Sequence, residues 1–281
     1  MNNAEYIDRA RRLEGMAKKA PAYPDSHGEE PARFFLRVHE HVIGQPLQGG
    51  TVLDFGCGVG HSVYSFLKRG FDAFGVDILE FWGKDVSLYG SEAWDTPAQV
   101  KARLRVTRDK LPFADESFDL VVSDQVLEHV FDLPTALSEI ARVLKPGALA
   151  IHRFPNPNGL VEAHTGVPFV WLNRYQWYLK LWALLGWRNS RQRGMNWRDA
   201  AASSIATFGT THYLPNREVL RIARIHGDAW FAEYLSLSEG RAAKLQQKMK
   251  GAGLGWISYP LLSCFSHSQV LVIRKRPVQA V

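Results

Sequence analysis

Short apolar runs alternate with longer amphipathic stretches through most of this chain, and the alternation starts sharply after the Gly49-Gly50 pair. TVLDF (51–55), DAFGVD (72–77), ARLRV (102–106), DLVVS (119–123) and ALAIHRF (148–154) have the length and composition of strands. Between them, helical spacing is found over 61–69, within 79–90 and in LPTALSEIARVLK (133–145), where Pro146-Gly147 stops the helix before the next strand. A helix from about Pro215, a strand AWFAEYLSL (229–237), a helix over 239–250 and a last strand SQVLVIRK (268–275) complete the pattern. Parallel strands need crossover helices, so this order predicts an α/β fold with a doubly wound, mostly parallel seven-stranded sheet.

Two stretches depart from the alternation. Ahead of it lie a charged helix over residues 1 to about 20, a loop PAYPDSHGEEP (21–31), and ARFFLRVHEHVIG, whose Phe35, Leu36, Val38 and Val42 form an apolar helical face. After the fifth strand comes a Trp-rich helical insertion. The expected organisation is therefore an N-terminal helical segment (1–50), a core (51–154), the insertion (155–211) and a C-terminal part of the core (212–281). Within the insertion, Trp171, Tyr175, Tyr178, Trp182 and Leu185 recur at helical spacing and predict a broad aromatic face. That face packs on its own domain, lines an apolar pocket, or lies in a membrane interface with Arg188, Arg191 and Arg193 near anionic headgroups.

A length of 281 residues with 46% hydrophobic content suits one large α/β domain carrying an insertion. Apolar runs are too short and too often interrupted for a spanning helix. The N-terminus is charged and lacks the apolar core of a secretory leader, so a cytoplasmic location is expected, with peripheral contact to a membrane's inner face as a variant. Cys57 and Cys264 supply neither a disulfide framework nor a metal-ligand spacing. The net charge of +6 invites a nucleic-acid partner, yet the basic residues are scattered and no binding-module pattern accompanies them. A solvated basic surface, an anionic substrate or an anionic membrane remain.

The chemistry is concentrated in TVLDFGCGVGHS (51–62). Glycines after a first strand let the backbone approach a nucleotide, and the following helix presents free N–H groups. A dinucleotide site needs G-x-G-x-x-G. Here Gly56, Gly58 and Gly60 read G-x-G-x-G, and His61 stands where the third dinucleotide glycine would be. Asp77 closes the second strand 21 residues after Gly56, where an acid accepts ribose hydroxyls.

With these motifs the chain resembles the class I S-adenosylmethionine-dependent methyltransferases. VLDFGCGVG is similar to their first motif, GVDI to their second-strand acid, LPFADESFDLVVSDQVLEHV to their fourth strand, and LSEIARVLKPGALAI to the helix and strand beyond. The resemblance runs from Thr51 to Phe154. It implies S-adenosyl-L-methionine as cofactor, with Gly56, Cys57, Gly58 and Gly60 forming its loop, Asp54 supporting that loop, Asp77 on the ribose and Ile78 on the adenine. The family often has an acid for the adenine amino group where this chain has Thr107; Asp109, two residues on, is the substitute expected here.

Methyl transfer from a sulfonium requires alignment and exclusion of water, and a hydroxyl acceptor also needs a base. Four histidines map near the carboxyl edge of the sheet: His129, His152, His164 and His212. In NPNGLVEAHTGVPF, prolines and glycines exclude a regular helix and leave Glu162 and His164 on one loop, suited to a base with its orienting acid. His129 and His152 are further catalytic candidates. Two ligands at this spacing do not specify a metal, and none is assigned. The E-x-H and Pro-Phe pattern is similar to loops of surface-glycan and secondary-pathway methyltransferases, which directs the expectation to O-methylation of a sugar, glycan or lipid-linked small molecule. The alternatives are an RNA or protein methyltransferase, a non-catalytic cofactor-binding module, and a nicotinamide-dependent reductase. SDQVLEH lacks the Asn/Asp-Pro-Pro-aromatic tetrad of base amino methylation, and the glycine spacing disfavours the reductase.

Overall fold

A computed structural model describes residues 28–82, 96–189, 192–238, 241–263 and 266–277. The helix expected over residues 1 to about 20 lies outside them, as does most of the one expected within 79–90.

Seven strands form one sheet: β1 (Thr51–Phe55), β2 (Asp72–Asp77), β3 (Leu104–Val106), β4 (Phe118–Asp124), β5 (Leu144–Pro155), β6 (Gly227–Ala232) and β7 (Ser268–Lys275). Their order is β3-β2-β1-β4-β5-β7-β6. β1 pairs in parallel with both β2 and β4, β2 with β3, and β4 with β5; the sheet is mostly parallel, with one antiparallel hairpin. Because β1 is covered on both faces, Val52, Leu53 and Asp54 are all buried and TVLDF reads as a continuous apolar run with a single acid. Strand order reverses at β1, so the carboxyl ends of β1, β2 and β4 surround the crevice where open α/β sheets take ligands.

Helices α1 (Glu29–Ile43), α2 (His61–Lys68), α3 (Ala98–Lys101) and α4 (Leu133–Val143) belong with these strands. Phe34, Phe35 and Val38 of α1 are fully buried, consistent with its amphipathic spacing. Asp132 caps α4, its carboxylate accepting from the Thr135 N–H at 3.1 Å. The helix expected to reach residue 145 ends at Val143, and β5 begins at Leu144. Register explains this. Phe118 pairs with Leu144 but Leu120 pairs with Leu149, so the Lys145 to Gly147 stretch bulges out of β5.

The strand expected over 229–237 is shorter. β6 stops at Ala232, and Tyr234–Leu237 forms a one-turn helix, α8, which follows α7 (Asn216–His226) in the helix count of this region. So brief an apolar run fits either period. Between β5 and α7 lie α5 (Gln176–Leu184) and α6 (Trp197–Phe208), and beyond α8 come α9 (Arg241–Gly251) and α10 (Gly255–Ser263). No separate helix was expected for α10, which carries Pro260 within it.

The chain forms two compact units. One contains the chain up to Arg153 together with Arg217–Phe231 and the residues from Leu271; the other contains Phe154–Asn216 and Ala232–Val270. The stretch read as a single C-terminal block, 212–281, is thus shared between them. In the second unit, Val167, Tyr178 and Leu179 form a core with Leu172, Trp182, Ile205 and Phe208 against it, and Ala183, Ala200 and Ala201 form another. The broad aromatic face divides here. Trp171 and Tyr175 precede α5, and of the set only Tyr178 is buried and Trp182 partly so, while Trp171, Tyr175 and Leu185 are exposed. Among the described residues, no helix is long and apolar enough to cross a membrane.

Candidate active site

The glycine loop joins β1 to α2. Gly56 and Cys57 both donate their N–H groups to the Val76 carbonyl of β2, at 2.8 and 3.0 Å, which turns the chain across the strand ends. Gly56, Gly58 and Gly60 all have positive φ, at 81°, 52° and 84°. Their surroundings differ. A Cβ on Gly56 would lie 2.3 Å from Val126 Cγ2, and one on Gly60 would lie 2.8 Å from Val100 Cγ1, so both are closed by protein. Over Gly58 a Cβ would meet nothing within 4 Å. The loop therefore opens at Gly58, leaving room for a ligand against the backbone there.

Asp77 ties that opening to β2. Its Oδ2 accepts from the Gly58 N–H at 2.8 Å, and its Oδ1 from the Ile78 N–H at 2.7 Å. Desolvation pushes its pKa up to about 6, partly offset by the N–H groups of Gly58, Ile78 and Leu79. Asp54, buried at the end of β1, is pushed up to about 8 by desolvation and by the nearby Asp124 and Asp77. Desolvation, with Asp77 and Asp54 beside it, raises the Cys57 thiol well above its ordinary value. Asp124, at the end of β4, is held by Arg153, whose Nε and Nη2 donate to its two oxygens at 2.7 and 2.6 Å. Arg153 also donates to both oxygens of Glu30 at 3.0 Å and lies 4.7 Å from the Phe34 ring centre. Asp54 and Asp77, both raised, lie at the ends of β1 and β2, and a ligand carrying positive charge would favour their ionised forms.

In the second unit, Val161 and Pro168 form a bridge, and the Glu162 N–H donates to the Val167 carbonyl at 2.9 Å. The tight loop between them throws the Glu162 carboxylate back onto its own backbone. Oε2 accepts from the N–H groups of His164 and Thr165 at 2.9 and 2.5 Å. Oε1 lies 3.0 Å from His164 Nδ1 and accepts the Tyr213 hydroxyl at 2.5 Å. Burial alone would raise the Glu162 pKa, but His164, Tyr213 and the Thr165 N–H more than offset it and hold it at about 2. Glu162 is therefore a carboxylate at neutral pH. An ionised carboxylate only accepts, so the proton of a neutral His164 sits on Nδ1 and Nε2 is the basic nitrogen. Thr165 and Asn173 brace the loop: the Thr165 hydroxyl donates to Asn173 Oδ1 at 2.9 Å, and Asn173 Nδ2 donates to the Pro168 and Phe169 carbonyls.

Residues 53–152 match the family described as methyltransferase domain. The core has the fold of the class I methyltransferases. The chain is 34% identical over 118 residues to a ubiquinone biosynthesis O-methyltransferase of Sinorhizobium medicae, covering 40% of this chain and 46% of that one. It is 37% identical over 154 residues to the O-methyltransferase resE of Aspergillus sclerotiorum, covering 50% of this chain and 57% of that one. This chain thus spans about half the length of these relatives. The crystal structure of a geranyl diphosphate C-methyltransferase from Streptomyces coelicolor A3(2) has the same fold, with a TM-score of 0.51, 16% identity, and coverage of 99% of this chain and 100% of that one.

The open Gly58 backbone beside Asp77 and Asp54 suits a ligand with a positively charged end. Asp54, Gly56, Cys57, Gly58, Asp77 and Ile78 gather at one edge of the domain, and Gly60 starts α2 behind them. Asp109 is exposed in the turn after β3; the residue bonded towards Asp77 is Thr107, whose N–H donates to the Asp77 carbonyl at 2.9 Å. His129 ends a short 3₁₀ turn (Leu127–His129) beyond β4, half-buried beside Glu128. His152 is placed differently from what a catalytic role asks. It is wholly buried in β5, its Nδ1 is 2.8 Å from Ser123 Oγ, and burial pushes its pKa down to about 3.

Val126, Arg153, Glu30 and Tyr213 were not singled out in the sequence. Arg153 follows His152 directly, and its position at a strand's carboxyl end was the available signal. Tyr213 follows His212 in TTHYLPN. Replacing Arg153 with Met keeps the stem but strands the Asp124 carboxylate, so the methyltransferase domain should lose on the order of 3 kcal/mol. Urea unfolding read at the midpoint checks this; an unchanged midpoint would show that the pair adds nothing.

Proposed function

We propose that this chain is an S-adenosylmethionine-dependent O-methyltransferase acting on a hydroxyl of a small molecule. The observation that carries the reading is the Glu162–His164 pair: an ionised, buried acid fixing the proton on Nδ1 directs Nε2 to act as a base. A hydroxyl needs such a base at neutral pH. Relatives carrying the name O-methyltransferase support the same reaction class.

When bound, the cofactor supplies an electrophilic methyl group on positively charged sulfur. Asp77, which already holds the Gly58 N–H, would accept the ribose hydroxyls, so that loop and sugar are oriented together. Asp54, buried at the end of β1 beneath the loop, is an acid that would ionise when positive charge approaches. His164 takes the acceptor's proton at Nε2, and Glu162 stabilises the imidazolium so formed. Tyr213 holds the Glu162 carboxylate in place from its other side.

Calorimetry with S-adenosylhomocysteine and with NADH tests the cofactor half, and methyl incorporation into catechols, sugars and amines tests the acceptor half. Binding of S-adenosylhomocysteine alone and methylation confined to hydroxyl acceptors are expected. Preference for NADH, or methylation of amines only, would overturn the proposal. The sugar or lipid-linked hydroxyl expected from EAHTGVPF is one arm of that panel.

A further inference from the structure

Helix α5 is apolar on two sides, and only one of them is buried. Tyr178, Leu179 and Ala183 face the core of the second unit. Trp177, Leu181, Leu184 and Leu185, at spacing i, i+4, i+7 and i+8, form a stripe on the opposite side. They are 60%, 43%, 61% and 67% exposed. Trp171, in the turn before the helix, is 59% exposed. A helix that is apolar all round normally has both faces covered, and an exposed patch of this size marks an interaction surface.

The surrounding charge says what covers it. From Ala163 to Arg198 the sequence contains no acidic residue, while it carries Arg174, Lys180, Arg188, Arg193 and Arg198 among its cations. Lys180 lies beside the stripe on α5 itself, and Arg174, Arg193 and Arg198 are exposed. Arg174 lies over the Tyr175 ring at 4.8 Å and Arg198 over Trp197 at the same distance, pairings of cation and amphipathic ring. Arg188 instead caps the helix, donating to the Ala183 and Met195 carbonyls at 2.8 and 3.1 Å. A second copy docked through this stripe would set Lys180 and its basic flank against their own counterparts, and Asp199, the next acid along the chain, already accepts from Asn196, so self-association is disfavoured. Anionic lipid headgroups match the rim, and indole rings with leucines match the interface beneath them.

We propose that α5 and the turn before it dock on the surface of an anionic bilayer, the helix lying in the interface plane with Trp171, Trp177, Leu184 and Leu185 inserted and Lys180 and Arg174 at the headgroups. At nine residues α5 is far too short to span, so the attachment is peripheral and reversible. It goes beyond the catalytic reading, since docking needs neither cofactor nor turnover, and it would place the enzyme where apolar acceptors partition.

The test is co-sedimentation of the full chain with vesicles of phosphatidylcholine, with and without phosphatidylglycerol, alongside calorimetry with S-adenosylhomocysteine. The wild-type chain is expected to partition onto phosphatidylglycerol-containing vesicles and to be weakened by salt. Trp177→Ser combined with Leu184→Ser should lower the partition coefficient by about tenfold or more, and Lys180→Glu should reduce it on anionic vesicles alone. Both variants should keep wild-type affinity for S-adenosylhomocysteine, which shows that they fold. Failure of the wild type to sediment with anionic vesicles, or equal partition of the double variant, would overturn the proposal. So would a lipid-free dimer that the double variant abolishes, since that assigns the stripe to a second copy.

Discussion

Replacing His164 with Ala is expected to lower kcat by about 10²–10⁴-fold, the usual worth of a positioned base, while affinity for S-adenosylhomocysteine stays at the wild-type value. The split follows from the assigned roles: the ring takes a proton from the acceptor and has no part in holding the cofactor, which the glycine loop and Asp77 do. Glu162→Gln tests the orienting acid separately. A carboxamide turned to accept from His164 Nδ1 must point its NH₂ at the N–H groups of His164 and Thr165, so the loop loses two acceptor contacts. It also removes the negative charge that favours the imidazolium, so the alkaline-rising limb of the kcat profile should move to lower pH as His164 becomes easier to deprotonate. Because Glu162 itself sits at about 2, that limb in the wild type reports the histidine. A glutamine variant with reduced kcat and an unmoved limb would reduce Glu162 to a loop brace. Full turnover in His164→Ala would remove the base altogether.

Asp77→Asn should weaken S-adenosylhomocysteine binding by about 100-fold, since two hydrogen bonds to a charged acceptor are together worth about 3 kcal/mol. The pH dependence follows from its raised pKa. Above about 6 the carboxylate is ionised and affinity is level; below it, affinity should fall towards about tenfold per pH unit, and the asparagine variant should lack that decline. For folding of the cofactor-free chain the sign is reversed. Asp54 and Asp77 bind protons more tightly in the folded state than their ordinary value of 3.8 allows, so their contribution to stability is lost as pH rises through about 6 and then about 8. A cationic ligand favours the ionised acids, so binding near pH 7 should release protons, seen as a buffer-dependent calorimetric heat. Net proton uptake at that pH would contradict a cation-binding role for Asp54 and Asp77.

Some features of the site were legible because their cause is local. TVLDF must be a buried central strand since nothing in it suits a solvated face, and G-x-G-x-G must turn sharply because three residues with positive φ are needed there. Asp77 closes a strand whose length follows from its own composition. Where local cause is weak, the sequence does not decide: AWFAEYLSL is too short to separate a strand from a helical turn, and the β5 bulge depends on pairing with β4, which no single segment encodes.

By itself, then, the amino-acid order determined the strand-helix succession, the glycine turn after β1, the acid closing β2, and the pairing of Glu162 with His164, all features held within a few residues or one repeating period. Only the tertiary structure decided that Val126 closes Gly56, that Glu30 and Asp124 meet on Arg153, that Tyr213 rather than His212 completes the Glu162 contacts, and that the apolar stripe of α5 faces outward. Those partners lie up to 123 positions apart in the chain. Side chains so distant meet through the packing of whole elements, and a helix that is apolar on two sides does not record in its sequence which side the core will take.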